Sequence, residues 1–242
     1  MSRPRTSRSG IPLAASPETH DLVLEWCAKL ERGPALDCPA GRGALAHELA
    51  ALGFRVVAAD LGGPDDGHGY LRVRADLNRP LPFSDAAFMV VACVEGIEHL
   101  ERPVDVLREF RRVLRPGGAL ILTTPNILHL GSRVRLLLTG FWTAAPRPFD
   151  PARPPTGYEH IMLLGYPMLA YFLGRAGFAV QRIDTNRLVK GSIPWAWLAP
   201  FVTAVTRMVL GVGRDVPSAV GRNLTSRRLL FGHTLCLLCR AV

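Results

Sequence analysis

The run from Ala35 to Leu52, A-L-D-C-P-A-G-R-G-A-L-A-H-E-L-A-A-L, decides the fold. It reads as a short buried strand ending at Asp37, a tight turn through Pro39, Gly41 and Gly43, and a helix opening near Gly43 that Gly53 stops. Glycines between a strand and a helix let a ligand approach bare backbone, and the free N–H groups of the helix start face whatever sits there. A small-molecule site at the carboxyl end of a first strand is the expectation.

Working outward, Pro17 to Leu30 reads as a preceding helix, with Ser16 as cap and a proline in its first turn. Phe54 to Ala59 is a second strand running into Asp60, and Leu71 to Ala75 a shorter third running into Asp76. Between them lies a Gly- and Asp-rich loop, Gly62 to Gly69. Ala87 to Val94 is a continuous apolar run, as expected of a strand covered on both faces. Pro103 to Leu114 has Val104, Leu107, Phe110 and Leu114 at helical spacing. Arg115 to Gly118 reads as a turn, and Ala119 to Thr124 as the next strand. This alternation predicts an α/β fold with a Rossmann-like, doubly wound, mostly parallel sheet whose ligands gather at the carboxyl strand ends.

Beyond Asn126 the alternation loosens. Ile127 to Leu138 and Tyr166 to Ala176 read as helices, Phe178 to Ile183 and Leu229 to Cys239 as strands, and Phe141 to Thr156 is rich in proline and aromatics. No repeat or linker is evident. The expected organisation is a flexible basic arm over residues 1–16 and one domain over 17–242, with helical-cap insertions near 127–160 and 186–228.

The chain has 242 residues, ample for one domain with a sizeable core, and 48% of them are apolar, which excludes a disordered chain. A net charge of +9 favours anionic partners such as a membrane surface, nucleic acid or an acidic substrate, or serves solubility alone. Five cysteines, mostly in apolar runs, read as reduced buried thiols of a cytoplasmic protein. Cys236 and Cys239 form C-x-x-C, but on a strand that spacing points them to opposite faces, against a metal or redox role. The Arg- and Ser-rich start, Met1 to Ser9, leads into no apolar core and does not read as a secretory signal.

Gly41 to Ala46 satisfies the loose G-x-G-x-x-A dinucleotide pattern, so a nicotinamide cofactor is a rival. Asp37 argues against it, because a carboxylate four residues before Gly41 would repel a pyrophosphate and welcome a cationic amino-acid ligand. Asp60 is placed to accept from ribose hydroxyls and Asp76 from an adenine amino group. One aspartate at a strand end is equally a cap or turn residue; three at successive strand ends describe S-adenosylmethionine better than a dinucleotide.

The motifs D-C-P-A-G-R-G, V-V-A-A-D, A-D-L, V-E-G-I-E-H-L-E-R-P and L-R-E-F-R-R-V-L-R-P-G-G-A-L-I-L-T-T-P-N, in order from Leu36 to Asn126, resemble those of the class I S-adenosylmethionine-dependent methyltransferases. The resemblance continues more weakly through His160 and the Tyr166 to Ile183 helix and strand. It implies a seven-stranded sheet whose last strand is antiparallel. It also implies that Asp37, Ala40, Gly41 and Gly43 line the methionine moiety, Asp60 and Leu61 the ribose, Asp76 and Leu77 the adenine, and Glu95 the methionine end and acceptor. The family usually has a glycine where this chain has Pro39; proline fixes φ and removes an N–H, which puts cofactor affinity in question.

Methyl transfer from a sulfonium is mostly alignment, with a base needed when the nucleophile is a hydroxyl. His99, beside Glu98, is the candidate base; both equally suit loop bracing. The E-x-x-E-H segment is similar to the metal-binding segment of ubiquinone-pathway O-methyltransferases and small-RNA terminal 2′-O-methyltransferases. That similarity implies Glu95, Glu98, His99 and His160 as ligands for Mg²⁺, Mn²⁺ or Zn²⁺.

The insertions, with Phe141, Trp142, Phe149, Tyr158, Trp195, Trp197 and Phe201, point to a small apolar or lipid-like acceptor. Ile193 to Gly213 is long enough for a membrane span, but Pro194, Pro200 and Arg207 interrupt it. A cap helix over an apolar pocket is the leading expectation, followed by an interfacial helix with Arg214, Arg222, Arg227 and Arg228 near lipid phosphates, which makes the protein peripheral at a membrane. RNA methylation has the charge but lacks a basic stripe interleaved with aromatics, and a non-catalytic ligand-binding protein is the alternative that Pro39 favours.

Overall fold

A computed structural model describes residues 10–62, 69–143, 159–212 and 218–242, with backbone alone at 211, 212 and 218. Seven strands form one sheet: β1 (Pro34–Asp37), β2 (Arg55–Asp60), β3 (Leu71–Arg74), β4 (Phe88–Val94), β5 (Leu114–Pro125), β6 (Phe178–Thr185) and β7 (Thr234–Ala241), in the order β3-β2-β1-β4-β5-β7-β6. Every pair is parallel except those of β7, which runs antiparallel to both β5 and β6. The carboxyl ends of β1 to β6 therefore share one edge, and the strand order reverses between β1 and β4 there, the place where open α/β sheets bind ligands.

Alternating side chains supply two cores. On one face Ala35, Val90, Ala92, Ile121 and Cys236 pack under α1 (Pro17–Cys27) and α2 (Ala44–Ala51). On the other Leu36, Val91, Leu120, Leu122 and Cys239 pack under α3 (Pro103–Val113) and α5 (Tyr166–Arg175). Cys236 and Cys239 thus lie on opposite faces, both buried and both free thiols. Helix α3 buries Val106, Leu107, Phe110 and Val113 at intervals of one turn and leaves its arginines outward. Ser16 caps α1, its hydroxyl accepting from Thr19 N–H at 3.3 Å.

Three segments differ from the sequence reading. Arg115 to Gly118 is not a turn before a strand but an outward bulge within β5, since Leu114 pairs with Phe88 and Ala119 with Val90. Gly117, at φ +71°, supplies the left-handed backbone this needs. Leu229 to Phe231, expected at the head of the last strand, belongs to a short helix α8 (Arg227–Phe231) capped by Ser226, and β7 begins only at Thr234. The Ile193 to Gly213 stretch divides into a 3-10 helix (Lys190–Leu198) and α6 (Ala199–Val212), because Pro194 and Pro200 each withhold a backbone donor. The remaining helices are α4 (Leu130–Thr139) and α7 (Ser218–Leu224). The arm from Met1 to Ser9, and Phe149, Tyr158 and Arg214, lie outside the described residues.

Phe110 is fully buried beneath the sheet. Phe110→Ala is expected to cost about 3–5 kcal/mol in urea unfolding, as deletion of a core aromatic does; a loss below about 1 kcal/mol would show that α3 does not hold that face.

Candidate functional site

The turn after β1 is held from three directions. Gly41 and Gly43 take positive φ, +53° and +83°, which glycine alone adopts without strain. The Gly41 N–H donates to Asp60 Oδ2 at 2.8 Å, and Asp60 Oδ1 accepts from Gly62 N–H at 3.2 Å. From β3, Arg72 donates to Gly41 O at 2.9 Å, and from just before that strand the Tyr70 hydroxyl donates to Gly43 O at 3.2 Å. Those two side chains fill the space that a Cβ on Gly43 would take. Tyr70 and Arg72 were missed in the sequence; the signal was their period-2 spacing across the start of β3, the strand next to β2, with Tyr70 just before it and Arg72 within it.

Asp37 is buried at the end of β1, accepts from the Ala46 N–H, and leaves Oδ2 without a partner. Burial, with the negative charge of Asp60 adding to it, pushes its carboxyl up to about 8. Residues 10–16, read above as the end of the arm, lie against this site: Pro12, Ala14, Ala15 and His20 face Asp37, Ala40 and Arg42 around a space of about 20 Å³. That holds about one water. His20 is buried there with Nδ1 unpartnered, and its pKa is lowered to about 4 by desolvation. Two larger hollows lie away from these carboxylates, one of about 250 Å³ beside Arg115 to Ala119 and one of about 460 Å³ between α5, β6 and α7.

Pro39 packs its ring against Gly96, where any side chain would overlap it. The proline thus joins the β1 turn to the loop after β4. Asp76 follows β3, accepts from Asn78 N–H at 2.9 Å and pairs with Arg79 at 3.5 Å. Leu77 beside it is buried, whereas Leu61, after β2, is exposed.

The loop after β4 carries the second group of residues. Glu95 takes φ +50°, and its N–H donates to Thr123 Oγ1 at 3.0 Å. Glu98 is fully buried, accepts from Thr124 Oγ1 at 3.1 Å, and has Oε1 unpartnered. Desolvation first raises both carboxyls above the usual range, and for Glu98 the neighbouring Glu95 adds to it. His99 Nδ1 lies 2.9 Å from Glu159 O; a carbonyl only accepts, so Nδ1 carries a proton, and the neutral ring in that tautomer presents its lone pair at Nε2. The His99 and His160 rings meet edge-on with centroids 4.9 Å apart. Ligand atoms of Glu98, His99 and His160 lie within 4.8 Å of one another. Glu95 is not in that group, because its carboxyl turns to Thr123, with Oε1 3.4 Å from the hydroxyl. Of the four residues expected as ligands, Glu98, His99 and His160 come together and Glu95 stands apart.

Residues 36–122 match the family described as "Methyltransferase domain". A demethylmenaquinone methyltransferase of Mycobacterium sp. (strain KMS) is 39% identical over 105 residues, 40% of this chain and 45% of its own length. A probable S-adenosylmethionine-dependent methyltransferase of Mycolicibacterium smegmatis is 33% identical over 180 residues, covering 72% and 62%. A ubiquinone biosynthesis O-methyltransferase of Sodalis glossinidius is 27% identical over 116 residues, covering 44% and 47%. The chain spans about half the length of the curated relatives it matches.

Two solved structures share the fold. The 1,6-didemethyltoxoflavin-N1-methyltransferase of Burkholderia thailandensis, solved with 1,6-didemethyltoxoflavin and S-adenosylhomocysteine, has a TM-score of 0.55 at 15% identity, covering 95% of this chain and 79% of its own. The [4+2]-cyclase SpnF has a TM-score of 0.53 at 19% identity, covering 91% and 81%. The cyclase carries a different reaction on the same fold, so the architecture by itself names no chemistry. It is the sequence match, running from the middle of β1 into β5 and so through the turn and all three aspartates, that gives this part of the fold its family: residues 36–122 carry a methyltransferase domain, and over that stretch the chain is similar to the class I S-adenosylmethionine-dependent methyltransferases.

Proposed function

We propose that the protein transfers a methyl group from S-adenosylmethionine to a hydroxyl of a small lipophilic acceptor. The observation that carries the reading is the set of three carboxylates at successive parallel strand ends, Asp37, Asp60 and Asp76, around a turn held open by Gly41 and Gly43. Quinone-pathway names among the relatives support the lipophilic acceptor.

The residues fit that donor. Asp37 keeps one oxygen unpartnered, as a site for an ammonium requires, and each Asp60 oxygen retains a lone pair beyond its bond to Gly41 or Gly62. S-adenosylmethionine supplies a methyl group already activated on a sulfonium. Asp60 would orient the ribose, Asp76 and Leu77 the adenine, and Pro12 to Ala15 would shift to admit the amino-acid end. Arg72 and Tyr70 keep the turn in shape while this happens. His99 Nε2 accepts the acceptor's hydroxyl proton as the oxygen–carbon bond forms and the sulfur–carbon bond breaks, and Glu159 O holds the ring in the required tautomer. A divalent cation is a second reading, favoured by the Glu98, His99 and His160 cluster and by the unpartnered Glu98 Oε1; bound there it would lower the pKa of an acceptor hydroxyl.

Asp60→Ala is expected to weaken S-adenosylmethionine binding about 10- to 100-fold in calorimetry, the size of lost bonds to a charged acceptor. Unchanged affinity in a folded variant would sink the site assignment.

Asp37 keeps its proton in the unliganded fold up to about pH 8, against 3.8 for the free side chain. A bound cation expels that proton, so affinity rises with pH by at most about tenfold per unit and levels above the raised pKa. The unliganded fold, by the same sign, loses stability as pH rises between the two values, because there the unfolded chain has released a proton that the fold retains. Calorimetry at neutral pH in buffers of different ionisation enthalpy should record proton release, and release of none would contradict it.

With a catechol or hydroquinone as acceptor, His99→Ala is expected to lower kcat about 10²- to 10⁴-fold with little change in S-adenosylmethionine affinity. Unchanged kcat would leave His99 as a brace, and turnover insensitive to EDTA would remove the cation.

A further inference from the structure

The cap is inside out. Helix α6 turns Phe201, Val205, Met208 and Val209 to solvent while Val202, Thr203 and Thr206 are half-buried. The 3-10 helix before it exposes Ile193 and Trp197, the latter at 71%. Spacings of three and four residues from Ile193 to Met208 make one apolar stripe. The 190–210 segment is long and apolar enough for a span, and apart from Ser192 none of it is buried. Helix α4, packed on the 3-10 helix through the His129–Ser192 bond (2.9 Å) and the close approach of Gly131 to Gly191, exposes Leu137 and Leu138 in the same way, Leu137 at 84%. A soluble helix would put these residues inside.

The charge distribution names the partner. Residues 111–242 carry 17 Lys and Arg against four Asp and Glu, whereas residues 1–110 carry 12 against 16, so the whole +9 excess belongs to the half that bears the cap. Arg187, Lys190, Arg207 and Arg227 are exposed around it. From Thr185 to the last residue, Val242, Asp215 is the sole acidic residue. A second copy is a poor occupant, since a two-fold interface would set this basic face against itself.

We propose that this face docks on an anionic lipid bilayer, with the 190–210 segment lying in the interface rather than crossing it. Both ends of the segment are tied to the domain: Ser192 is buried against His129, and Leu210 packs close to Gly221 of α7. Helix α6 alone, 14 residues, is about 21 Å long, short of a hydrocarbon core of about 30 Å. The segment leaves the sheet after β6, and α4 after β5, so both stand at the carboxyl edge that carries Glu95, Glu98 and His99. A lipophilic acceptor would then reach the site from the bilayer without entering water. The docking itself does not depend on the proposed reaction.

The test is co-sedimentation of the full chain with phosphatidylcholine vesicles, with and without phosphatidylglycerol. The wild type should pellet with the anionic vesicles and stay in solution with phosphatidylcholine alone. K190E/R207E should partition at least about 25-fold more weakly, at about fivefold per basic residue lost. W197S/F201S/M208S should lose pelleting more than about tenfold. Both variants should keep the wild-type melting temperature and S-adenosylmethionine affinity, which separates failure of docking from failure of the enzyme reading. The proposal is overturned if the wild type ignores anionic vesicles, or if the apolar variant pellets as the wild type does. It is also overturned if light scattering shows a dimer that the apolar variant dissolves while vesicles capture neither.

Discussion

The bond from the Gly41 N–H to the Asp60 carboxylate, 2.8 Å long, is the constraint on which the site depends. It ties the turn after β1 to the end of β2, two strands already in parallel register from Pro34 opposite Arg55 to Asp37 opposite Ala58. With that tie in place the left-handed glycines can hold backbone away from the space beside Asp37, and α2 can start with its free N–H groups facing that space. Arg72 on β3 and Tyr70 just before it secure the same turn, so three neighbouring strands converge on a few residues.

A second contact extends this rigidity across the reversal of strand order. Pro39 stands against the bare backbone of Gly96, so the β1 turn and the loop after β4 are packed as one body. The position where the chain departs from its family's usual glycine is therefore built into the fold, with a glycine opposite to receive the ring. The same loop carries Glu95 and Glu98, and burial raises both carboxyls above the usual carboxylate range.

The sheet and the first half of the site were legible because each rests on local pattern. Apolar runs of strand length, helical spacing at Val104, Leu107 and Phe110, and an aspartate closing each early strand are all written within a few residues of one another. What escaped depends on partners far along the chain. That Arg115 to Gly118 would bulge within β5 was decided by Phe88 and Val90 across the sheet; the division of the last apolar run into α8 and β7 is the exception, set locally by the Ser226 cap. Glu95 left the expected ligand set because Thr123, 28 residues on, takes its carboxyl. Arg72 and Tyr70 were hidden for the same reason, as their partners are carbonyls of a turn 27 to 31 residues earlier.

The segment over Asp37 bears on the tempo of the cycle. Pro12 to Ala15 leave room for about one water where the proposed site puts the donor's amino-acid end, so on that reading entry of the donor and departure of the spent thioether would share one doorway. The covering is made of small residues, with Ala14 and Ala15 against the turn. On the proposed reading such a door would set how long each nucleoside stays, independently of how fast the methyl moves, and residence of the spent nucleoside would then govern turnover.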